Sequence, residues 1–281
     1  MNEQVFQFGP NENLIGVLNR PDNWNGDAPV ALMLNAGIVH RVGPFRLHVD
    51  LARSLAKRGF ASLRLDLSGL GDSAIRTALP EGTDRATLDV LDAMNALETE
   101  LGSRRFVPIG LCSGAYNAHQ VAVSEARIAG GVFLDGIVYE TEGHRRRKRQ
   151  QRLGFRFLRN AVKKRIGSDI LPTENDDGVD GSEFFTNDKP AEEVASEIKA
   201  MLERDAQLLF LYTQGYQEIS GAEQFAEMFG IDPNGAQLQV DYYANFEHTF
   251  RLTPHRSTIV DRISSWFADR FPTREPVEMS A

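Results

Sequence analysis

The residues Gly110-Leu111-Cys112-Ser113-Gly114 place a nucleophilic side chain at the centre of a run of small residues. The spacing G-x-Nu-x-G is that of a nucleophile elbow, in which a tight, strained turn from strand to helix lifts the central side chain above a sheet. Small flanking residues let the backbone pass closely on either side. A cysteine in that position caps a helix N-terminus, where the helix dipole favours the thiolate. Cys112 is the single cysteine among 281 residues, so it forms no intrachain disulfide. It belongs to no Cys-rich metal cluster either, and neither a metal nor another cofactor is implied. The competing use of such a residue is as a small buried apolar group.

A thiol nucleophile needs a base, and the chain has six histidines. His248, in Phe246-Glu247-His248-Thr249-Phe250, falls between the last strand pattern and the last helix pattern. An imidazolium there would stabilise the thiolate. His40 and His48 follow the segment VALMLN and could line a pocket, His119 is on the helix behind the elbow, and His144 and His255 sit in peripheral segments.

Apolar runs bounded by turn residues alternate with stretches of helical period, the pattern of an α/β protein with a mostly parallel sheet and helices on both faces. Residues 5–8 and 14–18 predict an antiparallel pair around Gly9-Pro10-Asn11. Strands are expected over 30–35, 61–66, 106–110, 128–134, 208–212 and 238–242. Helices are expected over 45–58, ending at Gly59, and over 84–101, where Leu88, Leu91, Met94 and Leu97 form a stripe that Gly102 stops. Further helices are expected after the elbow, over 191–204, near 222–229 and over 257–271. Between the strands at 128–134 and 208–212 the alternation lapses. Insertions of that size usually sit over the carboxyl ends of the strands, where ligands bind. The expected organisation is a core over 1–138, a cap or lid over 139–206, a second core part over 207–271 and a flexible tail over 272–281.

The elbow, with cysteine in place of the more usual serine, resembles that of the α/β-hydrolase superfamily, and three further segments match in order. Asn35-Ala36-Gly37 is similar to the His-Gly oxyanion segment, with Asn35 in place of histidine. Asp66-Leu67-Ser68-Gly69-Leu70-Gly71-Asp72-Ser73 is similar to a D-x-x-G-x-G-x-S loop, and the segment around His248 to the catalytic-histidine loop. The resemblance implies an eight-stranded type of sheet with an inserted cap and a nucleophile–acid–histidine order along the chain. It also implies an oxyanion hole from two backbone N–H groups, those of Ile38 and Ser113. The family's G-x-x-D pattern, laid on Gly215 after the strand LLFLYT, implies Glu218 as the acid. Asp135, at the end of the strand that follows the elbow helix, is the alternative. Asp66 and Asp72 are expected to brace their loop.

The net charge of −8 conceals an asymmetry. Residues 145–165 hold eleven Lys and Arg and no acid, leaving twenty bases against 39 acids elsewhere. Leu153, Phe157, Val162 and Ile166 would give this stretch an apolar helical face. Arg145, Arg146, Arg147, Lys148 and Arg149 could dock an anionic carrier, either an acyl carrier protein or a coenzyme A thioester. No nucleic-acid-reading motif accompanies the charge, and nucleic acid is not an expected partner. Phe155, Phe157, Phe184 and Phe185 hint at an apolar pocket for an acyl group. No secretory signal and no apolar run of about 18 residues is present, so a cytoplasmic protein without a membrane span is expected. The function expected is hydrolysis of a small ester or thioester through a Cys-His-acid triad and an acyl-enzyme. The alternatives are an acyltransferase with the same intermediate and a non-catalytic binding protein.

Overall fold

The structure, a computed structural model, describes residues 2–24, 26–77, 79–80, 83–150, 189–215 and 218–272. The remainder of the basic segment, with its apolar positions and the four phenylalanines, lies outside the described residues, as does the tail from 273.

Eight strands form one sheet: β1 (Asn2–Phe8), β2 (Leu14–Arg20), β3 (Val30–Met33), β4 (Ser62–Leu65), β5 (Phe106–Leu111), β6 (Gly130–Leu134), β7 (Gln207–Thr213) and β8 (Leu238–Tyr243). Their spatial order is β1-β2-β4-β3-β5-β6-β7-β8. β1 and β2 pair antiparallel and β2 joins β4 antiparallel, while β3 to β8 run parallel. This is the α/β-hydrolase fold.

The helices are α1 (Leu47–Lys57), α2 (Arg85–Leu101), α3 (Ser113–Ser124), α4 (Ala191–Glu203), α5 (Gln224–Phe229) and α6 (Thr253–Arg270), with residues 142–150 also helical. Because successive strand side chains point to opposite faces, the apolar runs of the parallel strands feed two separate cores. Phe133, Leu208 and Phe210 enter one core together with apolar residues of α2, α3, α4 and α5. Val132, Leu134, Leu209 and Leu211 enter the other, against α1 and α6.

Two helix starts and one buried face differ from the sequence pattern. α1 starts at Leu47 rather than at 45, because Phe45 and Arg46 take positive φ (48° and 71°) in a turn that cannot continue a helix. α6 starts four residues before the expected 257, with Pro254 in its first turn, where a missing N–H costs nothing. In α2 the buried face runs through Ala86, Val90, Ala93, Met94, Leu97 and Leu101, leaving Leu88 and Leu91 only half-buried. It includes Asp89, which is fully buried because its carboxylate accepts Ser68 N–H (2.6 Å) and Arg76 Nε (2.9 Å). At the ends of α2, Asp84 caps with an oxygen 2.9 Å from Thr87 N, and Gly102 closes at φ 71°.

α4, at the end of the expected insertion, carries Val194, Ala195, Ile198 and Met201 into the α3 side of the core. It thereby serves as the crossover that a parallel β6–β7 pair requires. Ile198 is fully buried, so Ile198→Ala should lower the unfolding free energy by about 2–5 kcal/mol in denaturant titration. A helix belonging to a loosely docked lid would lose less than about 1 kcal/mol.

Candidate active site

Cys112 adopts φ 57°, ψ −120° between β5 and α3. Such a conformation costs a non-glycine residue roughly 1–3 kcal/mol and persists only where its surroundings enforce it. Cys112 N–H is held by Leu134 O (2.9 Å), while Cys112 O accepts Ala115 N–H and Tyr116 N–H at 2.9 and 3.2 Å. A Cβ on Gly110 would lie 2.0 Å from Gly114 O, and one on Gly114 2.5 Å from Asn35 O. Both elbow glycines are therefore required by close backbone approach, and the thiol is left half-exposed at the end of the sheet.

His248 follows β8 in a loop that its neighbours hold in shape. Glu247 accepts Thr249 N–H, Thr249 Oγ1–H and Leu252 N–H at 2.9–3.1 Å. Phe250, at φ 54°, is fully buried as a plug. On one side His248 Nδ1 is 2.9 Å from Asp135 Oδ2, and on the other its ring interacts with Cys112. Burial alone would push the imidazole pKa down. The hydrogen bonds to Asp135 and Cys112, with the negative charge those groups carry, outweigh it and raise the value to about 10.

The carboxylate hydrogen-bonded to His248 is thus that of Asp135, the alternative acid. The Glu218 carbonyl oxygen accepts Gln224 Nε2–H at 2.6 Å, ahead of α5. The glycine count points past β7, whereas the carboxylate at the imidazole comes from the end of β6, one strand nearer the elbow. Asp135 is fully buried, with φ 42°. Its Oδ1 accepts Thr213 N–H and its Oδ2 accepts Thr213 Oγ1–H, both at 2.6 Å. Thr213 carries no recognisable motif in sequence; its place at the end of the strand beside β6 was the sole clue. The Tyr242 phenol close by is pushed up by burial and by the charge of Asp135.

Ser113 and Ile38 flank the elbow. Ser113 N–H is in the first turn of α3, where no carbonyl within the helix can accept it. Ser113 Oγ accepts Gly37 N–H at 2.8 Å, tying the turn Ala36–Val39 to the first turn of α3. Ile38, at the tip of that turn, is 90% exposed. Asn35 is buried and bridges two loops: Nδ2 donates to Val39 O (2.9 Å) and Asp66 Oδ1 (3.1 Å), and Oδ1 accepts Leu67 N–H (2.8 Å). Asp66 also accepts Arg41 N–H at 2.6 Å and Asp72 N–H at 3.2 Å and pairs with the Arg41 guanidinium, which reaches Asp72 at 2.6 Å. Asp66 and Asp72 brace the loop after β4.

Other candidates fall outside this cluster. His48 is buried and its pKa is pushed down to about 4 by burial and the Arg64 charge, so it stays neutral. His119 is buried with Nε2 2.9 Å from Glu197 Oε2. His144, lowered by burial and then by the Lys148 charge, has Nδ1 3.2 Å from Ser220 Oγ. His255 stacks on Phe246 at 4.0 Å, and His40 is exposed. In the basic segment Arg145, Arg146 and Arg149 are exposed and Lys148 half-buried, whereas Arg147 pairs with Glu227 at 2.7 Å. A cavity of about 650 Å³ beside Arg145 and Arg146 is also lined by Glu140, Glu142, Glu192 and Glu227, so its charge is mixed. Among the described residues no cluster of His, Cys, Asp and Glu could hold a metal ion, and no helix is long and apolar enough to cross a membrane.

A family model described as "Alpha/beta hydrolase family" matches residues 33–270. Similar solved structures include an esterase from Pyrococcus furiosus, 14% identical with a TM-score of 0.61, aligned over 97% of this chain and 92% of that one. An a/b serine hydrolase without lid from Xanthomonas campestris is 12% identical, with a TM-score of 0.57 over 97% of each chain. Est1E from Butyrivibrio proteoclasticus is 11% identical, with a TM-score of 0.57 over 95% of this chain and 98% of that one. At these identities the likeness is one of fold. No curated protein sequence matches the chain.

An imidazole whose pKa rises from 6.5 to about 10 on folding binds its proton more tightly in the native state. Its stabilising contribution is complete below pH 6.5 and disappears as pH rises through about 10. Asp135→Asn should lower the His248 pKa, followed by NMR titration, by about two units. The stability gap between the parent protein and this variant should be widest near about pH 6 and shrink toward about pH 10.5.

Proposed function

The chain belongs to the alpha/beta hydrolase family, and we propose that it is an esterase-type hydrolase that cleaves a small ester or thioester through an acyl-enzyme on Cys112. The observation that carries this reading is His248 held between the buried Asp135 carboxylate and the half-exposed Cys112 thiol at the strained turn after β5.

With Nδ1 facing Asp135, the other ring nitrogen, Nε2, serves the sulfur. Its proton comes from the thiol, leaving a thiolate beside an imidazolium. The thiolate attacks the substrate carbonyl carbon, and the carbonyl π electrons move to the oxygen. That oxyanion is assigned to Ser113 N–H and Ile38 N–H, a reading supported by the bond from Gly37 N–H to Ser113 Oγ, which tethers the turn carrying Ile38 to α3. Collapse expels the alkoxide or thiolate, which takes the Nε2 proton and leaves as alcohol or thiol. Water then gives a proton to Nε2 and adds to the acyl carbon, and the second collapse returns the Cys112 thiolate and releases the acid. Asp135 remains ionised throughout and supports the imidazolium.

A second reading, favoured by cysteine in place of serine, is acyl transfer. A thioester acyl-enzyme reacts more readily with amines than with water, so an amine or alcohol acceptor entering in place of water gives a transferase. For either reading, a carrier thioester such as an acyl carrier protein or a coenzyme A ester would present its phosphates to the exposed Arg145, Arg146 and Arg149.

Incubation with a panel of aryl esters and acyl thioesters, followed by intact mass spectrometry, should give an acyl adduct that Cys112→Ala lacks. Turnover in that variant should fall at least about a thousandfold, and Asp135→Asn should fall far more than Glu218→Gln, which stays within about twofold. Undiminished turnover in Cys112→Ala overturns the reading. An inert thiol with no adduct on any substrate leaves a binding protein. Amide or ester products formed with an added acceptor mark the transferase.

A further inference from the structure

The end of β7 does more than terminate a strand. Leu134 of β6 pairs with Leu211 of β7, and Asp135 N–H donates to Leu211 O at 2.9 Å. In a parallel ladder the next bond in register runs from Thr213 N–H to the carbonyl oxygen of residue 135. Here Asp135 turns away at φ 42°, and that N–H goes to its side-chain Oδ1 at 2.6 Å. The carboxylate has taken the place of the residue's own carbonyl in the sheet. Its second oxygen, Oδ2, receives Thr213 Oγ1–H at 2.6 Å and lies 2.9 Å from His248 Nδ1. Thr213 and Asp135 are both fully buried, so no solvent can replace either donor.

We propose that Thr213 is a positioning residue of the reaction, whose hydroxyl fixes Asp135 Oδ2 at the imidazole while its N–H anchors Oδ1 in the sheet. The proposal rests on the catalytic reading of Cys112, His248 and Asp135. One bond to Oδ1 would leave the carboxyl group free to turn about the line through Oδ1. Two donors from a single residue, one of them main chain, remove that freedom. The donor pair also satisfies the buried carboxylate oxygens where water has no access. β6 and β7 thus divide one task, the first supplying the carboxylate and the second its orientation.

The discriminating variant is Thr213→Val, which keeps the shape and the N–H and removes the hydroxyl, paired with Thr213→Ser, which keeps the hydroxyl and removes the methyl group. Proton NMR of the resting protein reads His248 without reference to turnover. The parent and Thr213→Ser should both show a downfield His248 Nδ1–H resonance protected from exchange. In Thr213→Val it should broaden by faster exchange, and the His248 pKa should fall by about one unit. For a substrate of the native protein, kcat in Thr213→Val should fall about tenfold with KM unchanged, and Thr213→Ser should restore it. A folded Thr213→Val that keeps the resonance, the pKa and kcat within about twofold overturns the proposal. If Thr213→Val does not fold, Thr213→Ala carries the same expectation, and loss of the resonance in a folded Thr213→Ser also overturns it. Failure of the catalytic reading itself is seen separately, as undiminished turnover in Cys112→Ala, and leaves the NMR comparison intact.

Discussion

Everything at the site depends on how closely three backbone segments approach at the elbow. β5 must reverse into α3 within one residue, which puts Cys112 at positive φ. The reversal is possible only because the carbonyl of Gly114 passes Gly110, and that of Asn35 passes Gly114, at distances no Cβ would permit. The same approach brings the turn after β3 against the first turn of α3, so Cys112 and the backbone of Ser113 and of the turn carrying Ile38 share one junction. Strain of this kind is a local cost that the surrounding close-packed core must offset. The two apolar layers on either side of the sheet provide the rigidity that prevents relaxation.

Around that junction the structure buries polar groups in pairs and triples that satisfy one another. Asn35 links the turn after β3 to the loop after β4, Asp66 gathers Arg41 and Asp72, and Asp89 reaches from α2 to hold Ser68 and Arg76. Each carboxylate would be expensive to bury alone, and each is surrounded by donors or a guanidinium. Glycine is again needed where these groups crowd the chain: a Cβ on Gly71 would meet the Asp66 carboxylate at 2.2 Å. The loops near Cys112 are thereby fixed by polar contacts, while the sheet beneath them is fixed by apolar ones.

The electrostatics concentrate on one proton. His248 lies between the Asp135 carboxylate and Cys112, and its pKa of about 10 keeps it charged across the neutral range despite burial. A cationic imidazole beside the sulfur is the condition under which a cysteine acts as a thiolate nucleophile at neutral pH. The same group gives stability that fades in alkali, so the chemistry and the pH dependence of folding share a source.

Much of this was legible in the chain itself. Period-two and helical apolar patterns located all eight strands and the main helices, because burial on a two-faced sheet demands them. Gly110, Cys112 and Gly114 announced the elbow, because the close backbone approach at that turn leaves no room for a Cβ at either glycine. His248 followed from its place between the last strand and the last helix. The carboxylate at the imidazole did not follow. Counting from Gly215 reached Glu218, whereas the carboxylate at the imidazole is Asp135, 113 positions away from His248 along the chain. Thr213 and Asp89 were equally hidden, since a threonine at a strand end and an aspartate on a helix look like many others. Local spacing determines local turns through steric exclusion. Which carboxylate faces which imidazole is decided by the lateral order and register of β6 and β7, a relation between distant residues that only the assembled sheet creates.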